Sequence, residues 1–155
     1  MNIKKIALVP MLLILALALT ACGGKKEAAK ADVKLSEIYA AFELGDNMMT
    51  FTQEDLSDLY GIEEADVKQF AGGVNTTGVK CDEILLVEAN DADAAARVKE
   101  AMDNRYQSKL NELDGYLPDE YAIAKQCSVT TNGNFVAMIV APNAQELTKA
   151  SNAAF

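Results

Sequence analysis

The sequence predicts an α+β fold, in which helices cover one face of a four-stranded antiparallel sheet. Three observations support this prediction. Residues 79–89 (VKCDEILLVEA) are apolar at their centre, as in a buried strand. Residues 91–113 repeat apolar side chains every three and four positions, as in a helix docked on a sheet. Between two later apolar runs, Asn132-Gly133 is the strongest short hairpin signal, because a type I′ turn needs positive φ at both residues.

The first two elements are predicted to be helices. Residues 33–44 have one apolar stripe, with Asp32 as the expected N-cap and Gly45 as the expected stop. Residues 52–60 form a second, short helix, in which Thr52 and Asp55 resemble a capping box. Gly61 suits the position just after this helix. Three large apolar residues lie between the two helices and are expected to fill gaps in the core: Met48, Met49 and Phe51.

A strand pair and the long helix come next. Residues 65–74 fit a strand in part, since Gly72 and Gly73 indicate a bulge or bend. The polar residues 75–78 connect them to the strand at 79–89. Asp91 and Asp93 suit the start of the long helix, where the helix dipole favours negative charge. The charged residues expected on the solvent side of that helix are Arg97, Lys99, Glu100, Asp103, Arg105, Lys109 and Glu112.

The second half repeats this order. Pro118 starts a short helix over residues 118–125, with Asp119 and Glu120 placed to interact with its dipole. Strands are predicted at residues 127–131 and 135–141, and a helix at residues 143–155. The complete order is helix, helix, strand, strand, helix, strand, strand, helix.

The first 31 residues predict export and lipidation. Lys4 and Lys5 precede an apolar run at residues 6–19, which is typical of a signal peptide. The run ends in Leu-Thr-Ala-Cys, which resembles a lipobox, so Cys22 is the expected lipidation site and the first mature residue. A cysteine bearing two or three acyl chains, such as palmitate, holds a protein durably on a membrane. We therefore divide the chain into a signal peptide (1–21), a lipidated cysteine with a flexible tether (22–31) and one domain (32–155).

Two other interpretations of the leader are weaker. An ordinary secretory cleavage site needs small residues in an A-x-A-like pattern, and Leu19 occupies one of those positions. An uncleaved membrane anchor needs ~20 apolar residues, whereas this run is shorter and Pro10 interrupts it. The expected location is the extracytoplasmic face of the cell membrane.

The charge argues against nucleic acid as a partner. Removing Lys4 and Lys5 with the leader leaves 12 of the 14 basic side chains against 23 acidic ones, a net charge of −11. Such a chain is repelled by phosphate backbones and by anionic lipid headgroups.

The sequence contains no recognisable catalytic motif. Histidine is absent, which excludes His-dependent nucleophilic, acid/base and zinc chemistry. There is no CxxC, no Gly-rich phosphate loop and no GxSxG. The acidic pairs do not match a calcium loop. We therefore expect no enzymatic activity, no cofactor and no metal, and a monomeric domain.

Two cysteines remain once Cys22 is lipidated. Cys81 and Cys127 both lie beside predicted strands and could form one disulfide. The alternative is two buried free thiols that behave as small apolar residues.

From about residue 33 to residue 155, the chain resembles a known family. The resemblance rests on the order and spacing of four stretches: DLYGIEEADV, CDEILLVEANDADAAARVKEAM, DGYLPDEY and VTTNGNFVAMIVA. It is to domain-of-unknown-function family 4358, small lipoproteins of Gram-positive, clostridia-like bacteria. The resemblance implies no assigned activity and no site residues, and the pair Cys81 and Cys127 departs from the family pattern.

Taken together, the sequence predicts a membrane-tethered extracytoplasmic lipoprotein of unassigned activity. Its expected role is that of a protein-interaction or envelope-accessory module, with an unidentified envelope protein as partner. The alternative is a small-ligand-binding lipoprotein, although the domain is short for the two lobes of such receptors. An enzyme that uses only carboxylates ranks third.

Overall fold

The computed structural model describes residues 33–155, which form an open antiparallel sheet of five strands with the order β1-β2-β3-β5-β4. The strands are β1 (Met48–Thr50), β2 (Val67–Asn75), β3 (Glu83–Ala89), β4 (Ser128–Asn132) and β5 (Phe135–Val140). The last four correspond to the predicted strands. The prediction of four strands is wrong by one, because β1 has only three residues and is defined by its pairing with β2 rather than by any apolar alternation.

Five α-helices lie around this sheet within the described residues. They are α1 (Leu35–Ala40), α2 (Gln53–Asp55), α3 (Ala92–Leu113), α4 (Pro118–Ala124) and α5 (Ala144–Ala154). A π-helical turn, Leu56–Tyr60, continues α2, and a 3₁₀ turn, Glu64–Asp66, precedes β2. None of these helices is both long and apolar enough to cross a bilayer.

The start of α2 confirms the predicted capping box. The Thr52 backbone N–H donates to Asp55 Oδ2 at 2.6 Å, and the Asp55 N–H donates to Thr52 Oγ1 at 3.3 Å. Gly61 ends the segment in a left-handed conformation with φ of 69°. The predicted N-cap of the first helix, Asp32, lies outside the described residues, and α1 itself begins at Leu35, later than predicted.

Helices cover both faces of the sheet, which corrects the prediction of a single covered face. Leu85 and Val87 of β3 point into the cluster beneath α3, whereas Ile84 and Leu86 point into a second cluster beneath α1 and α5. All four side chains have 0% exposure. Because β3 is apolar at successive positions, both of its faces must be shielded from water.

The two glycines of β2 are explained by close packing rather than by the predicted bulge. A Cβ atom on Gly72 would collide with the Ile84 carbonyl oxygen of the neighbouring strand. The irregular register of β2 lies earlier, between Val67 and Gln69. The approach of β3 to β2 therefore requires glycine at this position.

The β4–β5 hairpin is present, but its turn is displaced by one residue from the prediction. Asn132 pairs with Phe135, so that Gly133 and Asn134 form the two-residue loop. Gly133 has φ of 59°, whereas Asn134 does not have positive φ. A positive φ at the first loop residue alone is the requirement of a type II′ turn, not of the predicted type I′.

Candidate functional site

Three neighbouring clefts lie at one end of the sheet, where β2 and β5 finish and β3 begins. Their volumes are about 480, 370 and 190 Å³. The first two share Pro142 and Asn143, and the first and third share Val79. We refer to this region as the cleft end.

The largest of these three clefts is formed by three segments: residues 43–47 before β1, residues 75–82 from the end of β2 towards β3, and residues 142–143 after β5. Its lining residues include the short polar residues Asn75 and Thr77. Val79 adds an apolar side chain that is 55% exposed. The charged residues that line it are Glu43, Asp46, Lys80 and Asp82.

Glu120 joins α4 to the connection between β2 and β3 beside this cleft. Its carboxylate is 2.9 Å from Lys80 Nζ and accepts the Cys81 backbone N–H, also at 2.9 Å. Burial alone would raise the pKa of Glu120, but the hydrogen bonds from Lys80 and Cys81 outweigh burial and lower it. The sequence predicted only that Glu120 interacts with the dipole of α4. In the fold its side chain also points towards the connection between β2 and β3, where it binds Lys80 and Cys81.

Cys81 is a poor nucleophile in this setting. Burial, followed by the hydrogen bond and charge of Glu120, raises the pKa of its thiol to about 12. At neutral pH the group is a thiol, whereas the thiolate is the reactive form. Burial also raises the pKa of Cys127, whose Sγ lies 3.4 Å from the Ile123 carbonyl oxygen.

The two cysteines are free thiols in this structure, and the charge of ionised Cys127 contributes to the raised pKa of Cys81. They therefore lie in the same part of the cleft end. The disulfide between Cys81 and Cys127 stays a prediction.

One group of side chains in the described part of the chain has ligand atoms close enough to be weighed as a metal site. Cys81, Asp82 and Glu120 place their ligand atoms within 4.8 Å of one another. Glu120 is already paired with Lys80, and Cys81 would have to lose a strongly held proton. Three such ligands fit neither calcium, which takes six to eight oxygens, nor a closed structural zinc site. We assign no metal to this group.

A buried ionic network lies behind the cleft end, at the start of β3. Glu83 is fully buried, and its carboxylate accepts from Arg105 Nε at 2.8 Å and from Arg105 Nη2 at 2.9 Å. Lys109 Nζ lies 2.8 Å from the same carboxylate, and the Tyr60 hydroxyl donates to it at 2.7 Å. Arg105 and Lys109 were expected on the solvent side of α3; instead Lys109 is buried and Arg105 is largely so.

The electrostatics of this network favour the ionised carboxylate. Burial would raise the pKa of Glu83, but the hydrogen bond from Arg105 and the charges of Lys109 and Arg105 lower it. Burial and the Glu83 charge raise the pKa of Tyr60 well above its ordinary value. Both oxygens of Glu83 have partners within the fold, so we interpret the network as structural rather than catalytic.

Two further acidic residues, Asp91 and Asp66, have partners within the described domain. Asp91 caps α3, accepting the Ala94 N–H at 2.8 Å, as predicted. Asp66 pairs with Arg97, whose Nε donates to it at 2.9 Å. No sequence pattern indicated that Glu83 and Glu120 would be buried, since both are acidic residues among other acidic residues.

These features define a small α+β sandwich domain with a recessed, polar end and no catalytic constellation among residues 33–155. The chain belongs to the family described as Domain of unknown function (DUF4358), whose sequence profile matches residues 40–141. The matched region runs from the end of α1 to the residue after β5 and includes most of the cleft lining. No curated protein and no solved structure matches the chain.

Proposed function

We propose that the chain is a membrane-tethered extracytoplasmic lipoprotein that binds another envelope protein at its cleft end. Cys22 is the anchored residue, and the residues after it connect the membrane to the domain. The Leu-Thr-Ala-Cys site supports the anchor, and the position of the cleft end supports the binding role.

The observation that carries this proposal is the separation between the cleft end and the point where the chain enters the domain. The Val33 carbonyl accepts from Gln69 Nε2 at 2.6 Å, and Gln69 in turn donates to Glu88 at 2.5 Å. Glu88 lies near the last residue of β3, whereas the cleft end begins at its first residue, Glu83. At ~3.4 Å per residue, these positions are ~17 Å apart along the strand. The cleft end therefore lies at the opposite end of the sheet from Val33, the first described residue.

The charge of the cleft indicates the chemistry of the partner. Three carboxylates, those of Glu43, Asp46 and Asp82, line it together with one ammonium group, that of Lys80. Since Lys80 is paired with Glu120, the remaining charge is negative. A basic or hydrogen-bonding segment of a partner protein suits such a surface better than an acidic one.

Replacing the lipidated cysteine tests the anchor. We expect Cys22→Ala to leave an unprocessed precursor or to release the protein from the membrane fraction. Fractionation of cells that express each form, with detection of precursor and mature sizes, measures this. Mature Cys22→Ala protein that stays on the membrane would refute the lipoprotein assignment.

Site-specific photo-crosslinking tests the binding role. A photoreactive amino acid at Val79, on the cleft, should give a discrete adduct with another envelope protein. The matched control is the same amino acid at Leu59, which is also exposed (41%) but lines none of the three clefts. Equal adducts at both positions, or none at Val79, would contradict binding at the cleft end.

The second candidate function is the binding of a small ligand, which the volume of the largest cleft favours. About 480 Å³ falls within the ~300–1,000 Å³ typical of ligand sites. A low-molecular-weight fraction of the growth medium would then raise the melting temperature of the wild type, but not that of Val79→Arg.

A carboxylate-based enzyme has the weakest support. Burial raises the pKa of Asp82, but the pKa of the neighbouring Glu120 is lowered. Divergent pKa values suit a pair of carboxylates that divides the roles of acid and base, but the Glu120 carboxylate is already held by Lys80 and by the Cys81 N–H.

A further inference from the structure

The outer edge of β4 exposes backbone groups that have no partner among residues 33–155. Asn132 and Phe135 close the two-residue hairpin and therefore exchange hydrogen bonds. Because this pattern alternates along an antiparallel pair, Thr130 and Ser128 also bond to β5. The N–H and C=O groups of Val129 and Thr131 must then point away from the sheet.

The pairing on the other side of β5 gives the same assignment independently. The Ala89 N–H donates to the Asn134 carbonyl at 2.8 Å, which directs the even-numbered residues of β5 toward β3. The odd-numbered residues of β5 therefore face β4 and bond to its even-numbered residues. The backbone groups of Val129 and Thr131 take part in no other hydrogen bond within the described part of the chain.

This edge lacks the features by which proteins usually block the pairing of exposed strands. Its five residues, SVTTN, contain no charged side chain and no proline, and its register with β5 has no bulge. The opposite edge of the sheet, β1, is only three residues long. Shortness protects β1, whereas β4 has none of these protective features within residues 33–155.

We propose that the β4 edges of two copies of this chain pair antiparallel and join their sheets into one. The two-fold axis passes between Thr130 of one copy and Thr130 of the second copy. Val129 of each copy then lies opposite Thr131 of the second copy, and each of these two pairs forms two backbone hydrogen bonds. Such an interface is closed, since the same strand is used on both sides.

The uncharged surroundings of β4 allow a second copy to approach at this edge. The mature chain has a large negative charge, so most of its surface would repel another copy. Residues 126–145, which include β4 and β5, contain no charged residue. Two β4 edges can therefore meet without opposed like charges. The dimer goes beyond both the monomer expected from the sequence and the proposed binding at the cleft end.

Disulfide trapping in cells that express the full chain tests the proposed dimer. Residues that face each other in a non-hydrogen-bonded pair have Cα atoms about 4.5 Å apart, within the ~4.4–6.8 Å that disulfides span. Mild oxidation of Thr130→Cys should therefore give a reducible band of twice the protein mass. Thr50→Cys, on the outer edge of β1, is the matched control, and the wild type corrects for Cys81 and Cys127.

A second substitution tests the register. Thr131→Pro removes an outward N–H without removing a bond to β5, and each dimer would lose two hydrogen bonds. In the Thr130→Cys background we expect it to lower trapping by about tenfold or more, while Thr131→Ala leaves trapping unchanged. Val129→Pro removes the equivalent N–H and replaces Thr131→Pro if that variant fails to fold, as judged by protease resistance.

Three outcomes would overturn the proposal. The first is a dimer band for Thr130→Cys no stronger than that for Thr50→Cys. The second is trapping that survives the proline substitution in a folded protein. The third is a reducible adduct of a different mass, which would mean that another protein occupies the β4 edge.

Discussion

The α3 face of the sheet buries charges, whereas the face covered by α1 and α5 is almost wholly apolar. Glu83 and Lys109 are buried beneath α3, with Arg105 beside them. On the opposite face the buried polar side chain is that of Ser151, whose hydroxyl donates to the Leu147 carbonyl within its own helix at 3.0 Å. The same sheet is thus covered by two different kinds of interface.

The two interfaces differ in how strictly they fix the positions of the helices that cover the sheet. Apolar contacts depend on shape and volume and tolerate small shifts, whereas a buried carboxylate needs its partners at fixed distances. Arg105 and Lys109 are one helical turn apart and reach the same carboxylate on β3. The network therefore fixes how far α3 lies along the sheet. Apolar packing predominates for α1 and α5, and a hydrogen bond from the Leu35 N–H to Gln69 Oε1 at 3.1 Å also ties α1 to β2.

The largest expected effect comes from a charge placed in the apolar part of the α3 face. Val98 is 1% exposed, so Val98→Asp would bury an unpaired carboxylate and should unfold the protein. Near-ultraviolet circular dichroism and chemical denaturation measure this.

The matched control is the next residue along the chain. Lys99→Asp replaces an exposed ion pair with Asp103 by a like-charge pair and should change the free energy of unfolding by no more than about 1 kcal/mol. If Val98→Asp folds normally and Lys99→Asp does not, the buried side of α3 has been assigned wrongly.

The next effect comes from removing the centre of the network. Glu83→Ala would leave Arg105 and Lys109 without their shared carboxylate and should lower the free energy of unfolding by about 3–5 kcal/mol. Glu83→Gln keeps the shape of the side chain and separates the loss of charge from the loss of packing. A change below 1 kcal/mol in Glu83→Ala would mean that the network does not hold α3 in place.

The same network predicts how stability depends on pH. Because the pKa of Glu83 is lowered in the folded state, its contribution is fully present above its ordinary value of 4.5 and is lost as the pH falls through the lower folded value. The difference in unfolding free energy between wild type and Glu83→Gln should therefore shrink as the pH is lowered below 4.5. A difference that stays constant at lower pH would argue against an ionised Glu83.

A smaller effect is expected on the apolar face. Phe155 is 6% exposed and stacks on Phe135 with ring centroids 4.6 Å apart. Phe155→Ala should lower the free energy of unfolding by about 3 kcal/mol through lost burial and stacking. Phe155→Leu should restore much of this loss, and a loss below about 1 kcal/mol in Phe155→Ala would contradict the burial of this ring in the apolar cluster.

The smallest expected effect lies at the hairpin, which belongs to neither face. Gly133 has φ of 59° and open space around its Cα, so Gly133→Val meets backbone strain without a steric clash. We expect a loss of about 1–3 kcal/mol in chemical denaturation. Gly133→Asn, which tolerates positive φ, is the control, and an unchanged midpoint for Gly133→Val would show that the turn does not need glycine.

Much of the local structure could be predicted from the sequence. The spacing of apolar residues predicted α3 and four of the strands, and Thr52 with Asp55 predicted the cap of α2. The family was also recognisable from ordered stretches of sequence and is confirmed. These features depend on residues close together in the chain, where periodicity and capping act directly.

The candidate site could be predicted only in part. Cys81 was placed beside a strand, but neither the cleft beside it nor the inward turn of Glu120 has a sequence signal. Both depend on segments that are far apart in the chain and meet only in the fold.

By itself the sequence determined the α+β class, the long helix, the hairpin and the absence of histidine chemistry, because each follows from residue type or short-range spacing. Only the tertiary structure decided that both faces are covered, that β1 joins the sheet and that Glu83 is buried among Arg105, Lys109 and Tyr60. The sequence shows that a residue is acidic, but not whether its carboxylate is exposed to water or paired with a guanidinium group. The difference arises from long-range contacts, in which burial disfavours a charge until partners from other elements stabilise it.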